Sequence, residues 1–223
     1  MKRINKKSVI GLTGVIIIIA VIIAGVAYKR SLDNNTNTST GGAPTVAYMH
    51  GSFSIDTDNL EELAGDADYV FVAKVIETKG TQYKYPVTVE DESGNSETVT
   101  TPYTDYTVSV EDNIKGELVE SEAITIQKAG GVTEDGKYTV IYEDDTLPEE
   151  GKNYIFFAYA QDDGSLLVSG PSSNVSIQTK DETASVKQST LEKNAKYNEV
   201  VDAVANQIET DRDRSISKYD TSQ

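Results

Sequence analysis

YTDYTVSVEDNIKGE, residues 103–117, decides the fold class. Within it Tyr106, Val108 and Val110 alternate with Thr107 and Ser109. A strand sends successive side chains to opposite faces, so this order writes one apolar face and one wetter face. A helix would scatter the same residues around its axis.

The same period continues on both sides. Upstream, GDADYVFVAKVIE (65–77) is β-branched and aromatic, a predicted strand buried on both faces. Downstream, AITIQKAGG (123–131) puts Ile124 and Ile126 on one face and ends at a glycine pair. KYTVIYEDD (137–145), NYIFFAYA (153–160), SLLVSG (165–170) and NVSIQTK (174–180) extend the series. QDDGS (161–165) reads as a tight hairpin, and EDESGNSE (90–97) as a turn inside a longer excursion between the first two strands. Short strands at this spacing predict a mainly β domain, a closed barrel or a sandwich.

Helical spacing occurs only at the edges of that series. Asp58 is a good N-cap with Glu61 three residues on, and Leu60, Leu63, Ala64 and Ala67 then line one face. Near the C-terminus Tyr197, Val200, Val201, Val204 and Ile208, following Leu191, predict an amphipathic helix. Residues 210–223 read as frayed.

The N-terminus is of another kind. From Val9 to Tyr28 there are 20 uncharged residues, enough helix to cross about 30 Å of hydrocarbon. Lys2, Arg3, Lys6 and Lys7 precede this run and only Lys29 and Arg30 follow closely, so the N-terminus is expected in the cytoplasm. A cleaved signal peptide is the rival reading, with Gly25-Val26-Ala27 as a weak cutting site. The run is too long for that, and a retained anchor is preferred. SLDNNTNTSTGGAPTVA (31–47) is small and polar, as a flexible stalk would be. The expected division is a basic tail (1–8), a transmembrane helix (9–28), a stalk (29–47), an extracellular β domain (48–182) and a C-terminal helix with its tail (183–223).

Six of the 20 basic residues lie in the first thirty, which hold no acid. Beyond them 14 basic residues face 36 acidic ones, a net charge of −22. Such a surface repels phosphate backbones, which excludes nucleic acid as a partner. The chain has no cysteine, and an exported domain of this size without one points to a bacterial envelope.

Four pieces in order, GDADYVFVAKV, YTDYTVSVEDNIKGE, AITIQKAGG and GKNYIFFAYAQDDGSLLVSG, resemble the N-terminal domain of the tissue inhibitors of metalloproteinases and the wider netrin-like group. The shared features are Ala-Asp before a strand ending Ala-Lys-Val, a strand running into a hydrophobic-Lys-Gly turn, and a Gly-Lys-x-Tyr hairpin with Asp-Gly at its tip. They cover about residues 62–170. The resemblance implies a five- or six-stranded OB-like β-barrel with a helix packed on it. Inhibitory members chelate a protease's zinc through an N-terminal cysteine. This chain has no cysteine, and the equivalent region near Tyr48 to Phe53 follows a stalk and an anchor, so that mode does not carry over. The excursion from Thr78 to Pro102 stands where family members contact the protease.

Tyr83, Tyr85, Tyr103 and Tyr106 cluster around that excursion and are the candidate ligand-binding residues. Tyrosine offers flat area with a polar tip and is enriched in interfaces, although alternate tyrosines also occur as ordinary strand residues. His50 is the only histidine and lies beside the stalk, a poor place to hold a preorganised triad or a zinc site. Asp56 with Asp58, or Glu143, Asp144 and Asp145 with Glu149 and Glu150, supply oxygen ligands without a complete calcium-loop spacing. Gly130-Gly131 reads as a turn or as a point of close backbone approach. The expectation is a non-catalytic module, with no metal and no cofactor, that binds a protein or another cell-envelope ligand. The alternatives are a protease inhibitor acting without the cysteine, and an envelope hydrolase.

Overall fold

Alternation of apolar and polar residues becomes nine strands in the computed structural model, which describes residues 44–90, 94–120, 122–177 and 188–222. In chain order these are β1 (Thr45–Met49), α1 (Leu60–Asp66), β2 (Tyr69–Glu90), β3 (Ser96–Lys115), β4 (Ile124–Ala129), β5 (Gly131–Val132), β6 (Tyr138–Tyr142), β7 (Asn153–Ala160), β8 (Leu166–Val168) and β9 (Asn174–Ile177). Two helices follow, α2 (Gln188–Leu191) and α3 (Ala195–Ala205). The expected membrane span, Val9 to Tyr28, and the stalk up to residue 43 lie outside the described residues. Among the described residues no helix is long and apolar enough to cross a membrane.

The main sheet has the order β2-β3-β4-β8-β7-β9, and β2 also pairs with β7. Five strands therefore return to their starting point and the sheet is partly closed on itself. Neighbours are antiparallel except β4 and β8, which run parallel. β9 lies along the first four residues of β7.

The two-sided burial expected of β2 is observed. Tyr69, Phe71, Ala73 and Val75 face an inner core with Tyr106, Val108, Val110, Ile124, Ile126, Tyr154, Phe156 and Val168. Val70 and Val72, with Ile155 and Phe157 of β7, face the helices through Leu63, Ala64, Leu191, Tyr197 and Val200. Each fully buried aliphatic or aromatic side chain contributes about 1.5–3 kcal/mol. The period-2 order of two strands thus serves two cores at once.

Five expectations are corrected. The excursion after Thr78 is no loop: β2 and β3 stay paired from Thr78↔Tyr106 out to Glu90↔Ser96, and beyond Thr81↔Thr104, where the pairing of β3 with β4 ends, they form a two-stranded arm. Alternating Thr, Val and Tyr sustain the ladder, and Pro86, which cannot donate to it, sits where the register slips between Lys84 and Val87. KYTVIYEDD does not join the main sheet. Its strand β6 lies between β1 and β5 in a separate three-stranded sheet, parallel to β1. The expected stalk consequently stops short, because Thr45–Ala47 are part of β1.

The cap of α1 is Asn59, one residue later than expected. Its Oδ1 accepts from the Glu61 and Glu62 N–H groups, at 3.0 and 3.4 Å. The N–H of Asp58 is already held by Asp56 Oδ1 at 3.0 Å, which leaves Asp58 in the preceding turn. Glu62, not Glu61, reaches back, accepting from the Asp56 N–H at 2.9 Å.

The fifth correction is the C-terminus. The residues after α3 are not frayed but lie as a strap across the molecule. The Ile208 N–H donates to Glu61 O at 3.0 Å. Arg212 and Arg214 donate to the last carbonyls of α1, those of Gly65, Asp66 and Ala67, and pair with Asp68. Cations at a helix C-terminus meet its unsatisfied carbonyls and its negative dipole end. Further on, the Ser217 N–H donates to Tyr69 Oη, the Lys218 N–H to Gly164 O, and Leu118 bridges Asp220.

Candidate functional site

The arm leaves the inner core where β2 passes Val75, and beyond it most side chains of β2 face solvent. Tyr83 and Tyr85 are 39% and 48% exposed. Tyr85 adopts φ +54°, a left-handed conformation uncommon for a bulky side chain, next to the register slip at Pro86. Its ring meets that of Tyr103 edge-on, with centroids 6.0 Å apart and planes at 68°. Lys84 Nζ lies 5.2 Å from the centroid of the Tyr103 ring and donates to Gln127 Oε1. Gln127 in turn donates to Asp105 Oδ1 at 2.6 Å, and Gln82 donates to the other oxygen of Asp105. Side chains of β2, β3 and β4 are thereby cross-linked on the face that carries Tyr103.

Three of the four expected tyrosines fall in the arm. Tyr103 is half-buried and leans on the second sheet, packing with Met49, Ala129, Val140 and Tyr142. Burial raises its phenol above the usual range, and Tyr142 and Tyr85 add to that. Tyr106 is different: it is 2% exposed, inside the inner core, with its phenol raised first by burial. It is therefore removed from the candidate surface. The same alternation that puts Val108 and Val110 inside puts Tyr106 inside, so the signal was in the strand pattern.

Gly130 and Gly131 mark the corner between β4 and β5, at φ +120° and +153°. A Cβ on Gly131 would strike Thr104 Oγ1, and Thr104 donates to Gly130 O at 2.7 Å. The close approach anticipated there is made by β3 of the same chain.

The remaining candidates separate. His50 Nδ1 lies 3.1 Å from Glu143 Oε2, with both side chains more than half exposed. Glu149 pairs with Lys152, and Glu150 accepts the Thr78 N–H at 2.8 Å. Among the described residues no group of three or more His, Asp or Glu side chains is placed to hold a metal ion.

Asp145 turns inward. It meets Lys128, which is fully buried, and Lys128 Nζ lies 2.6 Å from Asp145 Oδ2. The Lys128 ammonium also donates to Ser173 Oγ at 2.7 Å, and Ser173 donates to Gly170 O at 2.6 Å. Asp145 Oδ1 accepts the Thr146 N–H at 2.8 Å. Burial pushes the Asp145 carboxyl up and the Lys128 ammonium down, each against the opposing pull of its partner. Lys128 stands two residues beyond Ile126, so the alternation of β4 puts it inward, a signal that its charge masks in the sequence.

The sequence matches no model of a known protein family, and no curated protein matches it.

Proposed function

We propose that the chain is a non-catalytic binding module of netrin-like type, held at a bacterial cell surface by Val9–Tyr28, that engages a protein partner through its β2–β3 arm. The observation that carries this reading is the placement of Tyr83 and Tyr85 on the arm, exposed, with Tyr85 seated against half-buried Tyr103. An amphipathic ring loses little side-chain entropy on docking and can bury apolar area while keeping its hydroxyl bonded. The ladder carries both rings, and the Gln82–Asp105–Gln127–Lys84 bonds brace the face on which Tyr85 meets Tyr103.

An OB-type barrel is the finer fold reading. It is supported by the pairing order of the five ring strands: an antiparallel meander of β2, β3 and β4, then β7 beside β2 and β8 parallel to β4.

The test is affinity capture from the native envelope with the soluble fragment 44–222, wild type against the Tyr83→Ser/Tyr85→Ser double variant. A partner held by the wild type and lost from an equally stable variant supports the reading. Equal capture by both refutes it. Protease inhibition is a narrower form of the same contact. It requires the fragment to slow a metalloprotease and the double variant to fail.

A further inference from the structure

We propose that Lys128 and Asp145 condense to an intramolecular amide, a covalent clasp between β4 and the segment that follows β6. The geometry is that of a loaded acyl transfer. Lys128 Nζ and Asp145 Oδ2 are 2.6 Å apart, with side chains 0% and 2% exposed. A carboxyl C–O bond is about 1.2 Å, which puts Cγ within about 3.8 Å of Nζ, a small rotation from attack distance.

Each neighbouring group has a part in the chemistry. Ser173 Oγ accepts from Nζ at 2.7 Å and fixes the direction of the amine. The Thr146 N–H points at Oδ1 from 2.8 Å, where negative charge gathers during attack. The pair first exchanges a proton: the ammonium gives one to Oδ2, leaving a neutral amine facing a neutral acid. The Nζ lone pair then bonds to Cγ, and charge collects on Oδ1 under the Thr146 N–H. A second proton passes from Nζ to Oδ2, and Oδ2 departs as water with the C–O electron pair. Oδ1 remains as the amide oxygen. No oxidant, cofactor or further reactant enters.

The interior also favours the product. In water an amine and an acid stay apart because hydration stabilises their charged forms. Here that hydration is gone, and a buried ion pair must recover its desolvation from one contact and a few hydrogen bonds. The raised carboxyl and the lowered ammonium reflect the same burial and bring the neutral forms within reach. An amide keeps the partners joined with no charge to bury, and holding the two groups in contact replaces a bimolecular encounter.

The clasp would fasten the main sheet to the small one. Lys128 belongs to β4, and Asp145 follows β6 of the three-stranded sheet.

The experiment is a tryptic map of the full chain, purified from membranes and denatured before digestion. The linked form resists cleavage at Lys128. It yields residues 116–137 joined to residues 138–152, lighter by one water, about 18 Da, than the two peptides together. Recovery of that species, and its loss in Lys128→Arg, is the expected result. Free linear peptides 116–128 and 138–152 would overturn the proposal. So would an equal water loss from these segments in Lys128→Arg, which places the dehydration elsewhere, as at Asp135-Gly136.

Discussion

Gly65→Ala inverts an ordinary helix rule. Gly65 lies inside α1, where alanine is normally worth about 1 kcal/mol of stability over glycine. In this fold a Cβ on Gly65 would occupy the space of the Ile208 carbonyl and come within 3.0 Å of Glu209 N. Both neighbours are backbone, so no side-chain rotation relieves the clash. The strap must lift by more than an ångström, which breaks the 3.0 Å bond from the Ile208 N–H to Glu61 O. It also strains the 2.6 Å bond from Arg214 to Gly65 O. Overpacking costs about 1–3 kcal/mol, and a lost bond with its stranded partner about 1–3 kcal/mol more. Set against the gain of about 1 kcal/mol from propensity, the net loss is about 1–5 kcal/mol. Urea unfolding of the fragment 44–222 measures it, and hydrogen exchange of the Ile208 amide reports whether the strap has lifted. A second pair of fragments ending at residue 206 removes the obstacle, and there alanine is expected to stabilise. If Gly65→Ala stabilises the fragment that contains the strap, the crossing of Ile208 over α1 is wrong.

Further outcomes follow from the same structure. Tyr106→Ala empties part of the inner core and is expected to cost about 3–5 kcal/mol in urea unfolding, while Tyr83→Ala on the arm stays within about 0.5 kcal/mol; equal effects would contradict the split between core and arm. Gly116→Ala forces a Cβ into the Tyr69 ring at φ +79° and disturbs the bonds of Tyr69 with Asp220 and Ser217, at an expected cost of about 2 kcal/mol or more; no change in denaturation midpoint would be inconsistent with that packing. The Lys115 ammonium, which donates to the Ala64 and Ala67 carbonyls, is lowered to about 8, first by burial and then by Arg214. Between about pH 8 and 10.5 the unfolded chain holds the proton that the folded chain has released, so this residue's contribution to stability rises with pH over that window. Unfolding free energies of wild type and Lys115→Met at pH 7 and pH 10 check this, with the difference moving toward the wild type; movement the other way defeats it.

Much of the fold was readable because its causes are local. Alternation in β3 and β4 placed their inward residues, since a strand's side-chain period is two wherever the strand ends up. The apolar face of α1 and the buried Tyr197 and Val200 of α3 were readable for the corresponding reason at helical spacing. At the candidate site, Tyr83, Tyr85 and Tyr103 were identifiable by type and proximity. That Tyr106 belongs to the core was also written in the pattern, because it shares a face with Val108.

The residues themselves determined a mainly β chain, the faces of β3 and β4, the turn at QDDGS, and an acidic composition beyond the N-terminal apolar run. Strand partners were left to tertiary structure. The parallel pairing of β4 with β8 and the removal of β6 to a second sheet depend on segments distant in sequence, whose hydrogen bonds carry no mark of their partner. The strap likewise has no apolar period to reveal it, because two arginines and backbone groups hold it to α1, and carbonyls present themselves only once the helix exists. Asp145 was one acid among many until the fold closed over Lys128, and removing water from that pair is what turned two common charges into a chemical contact.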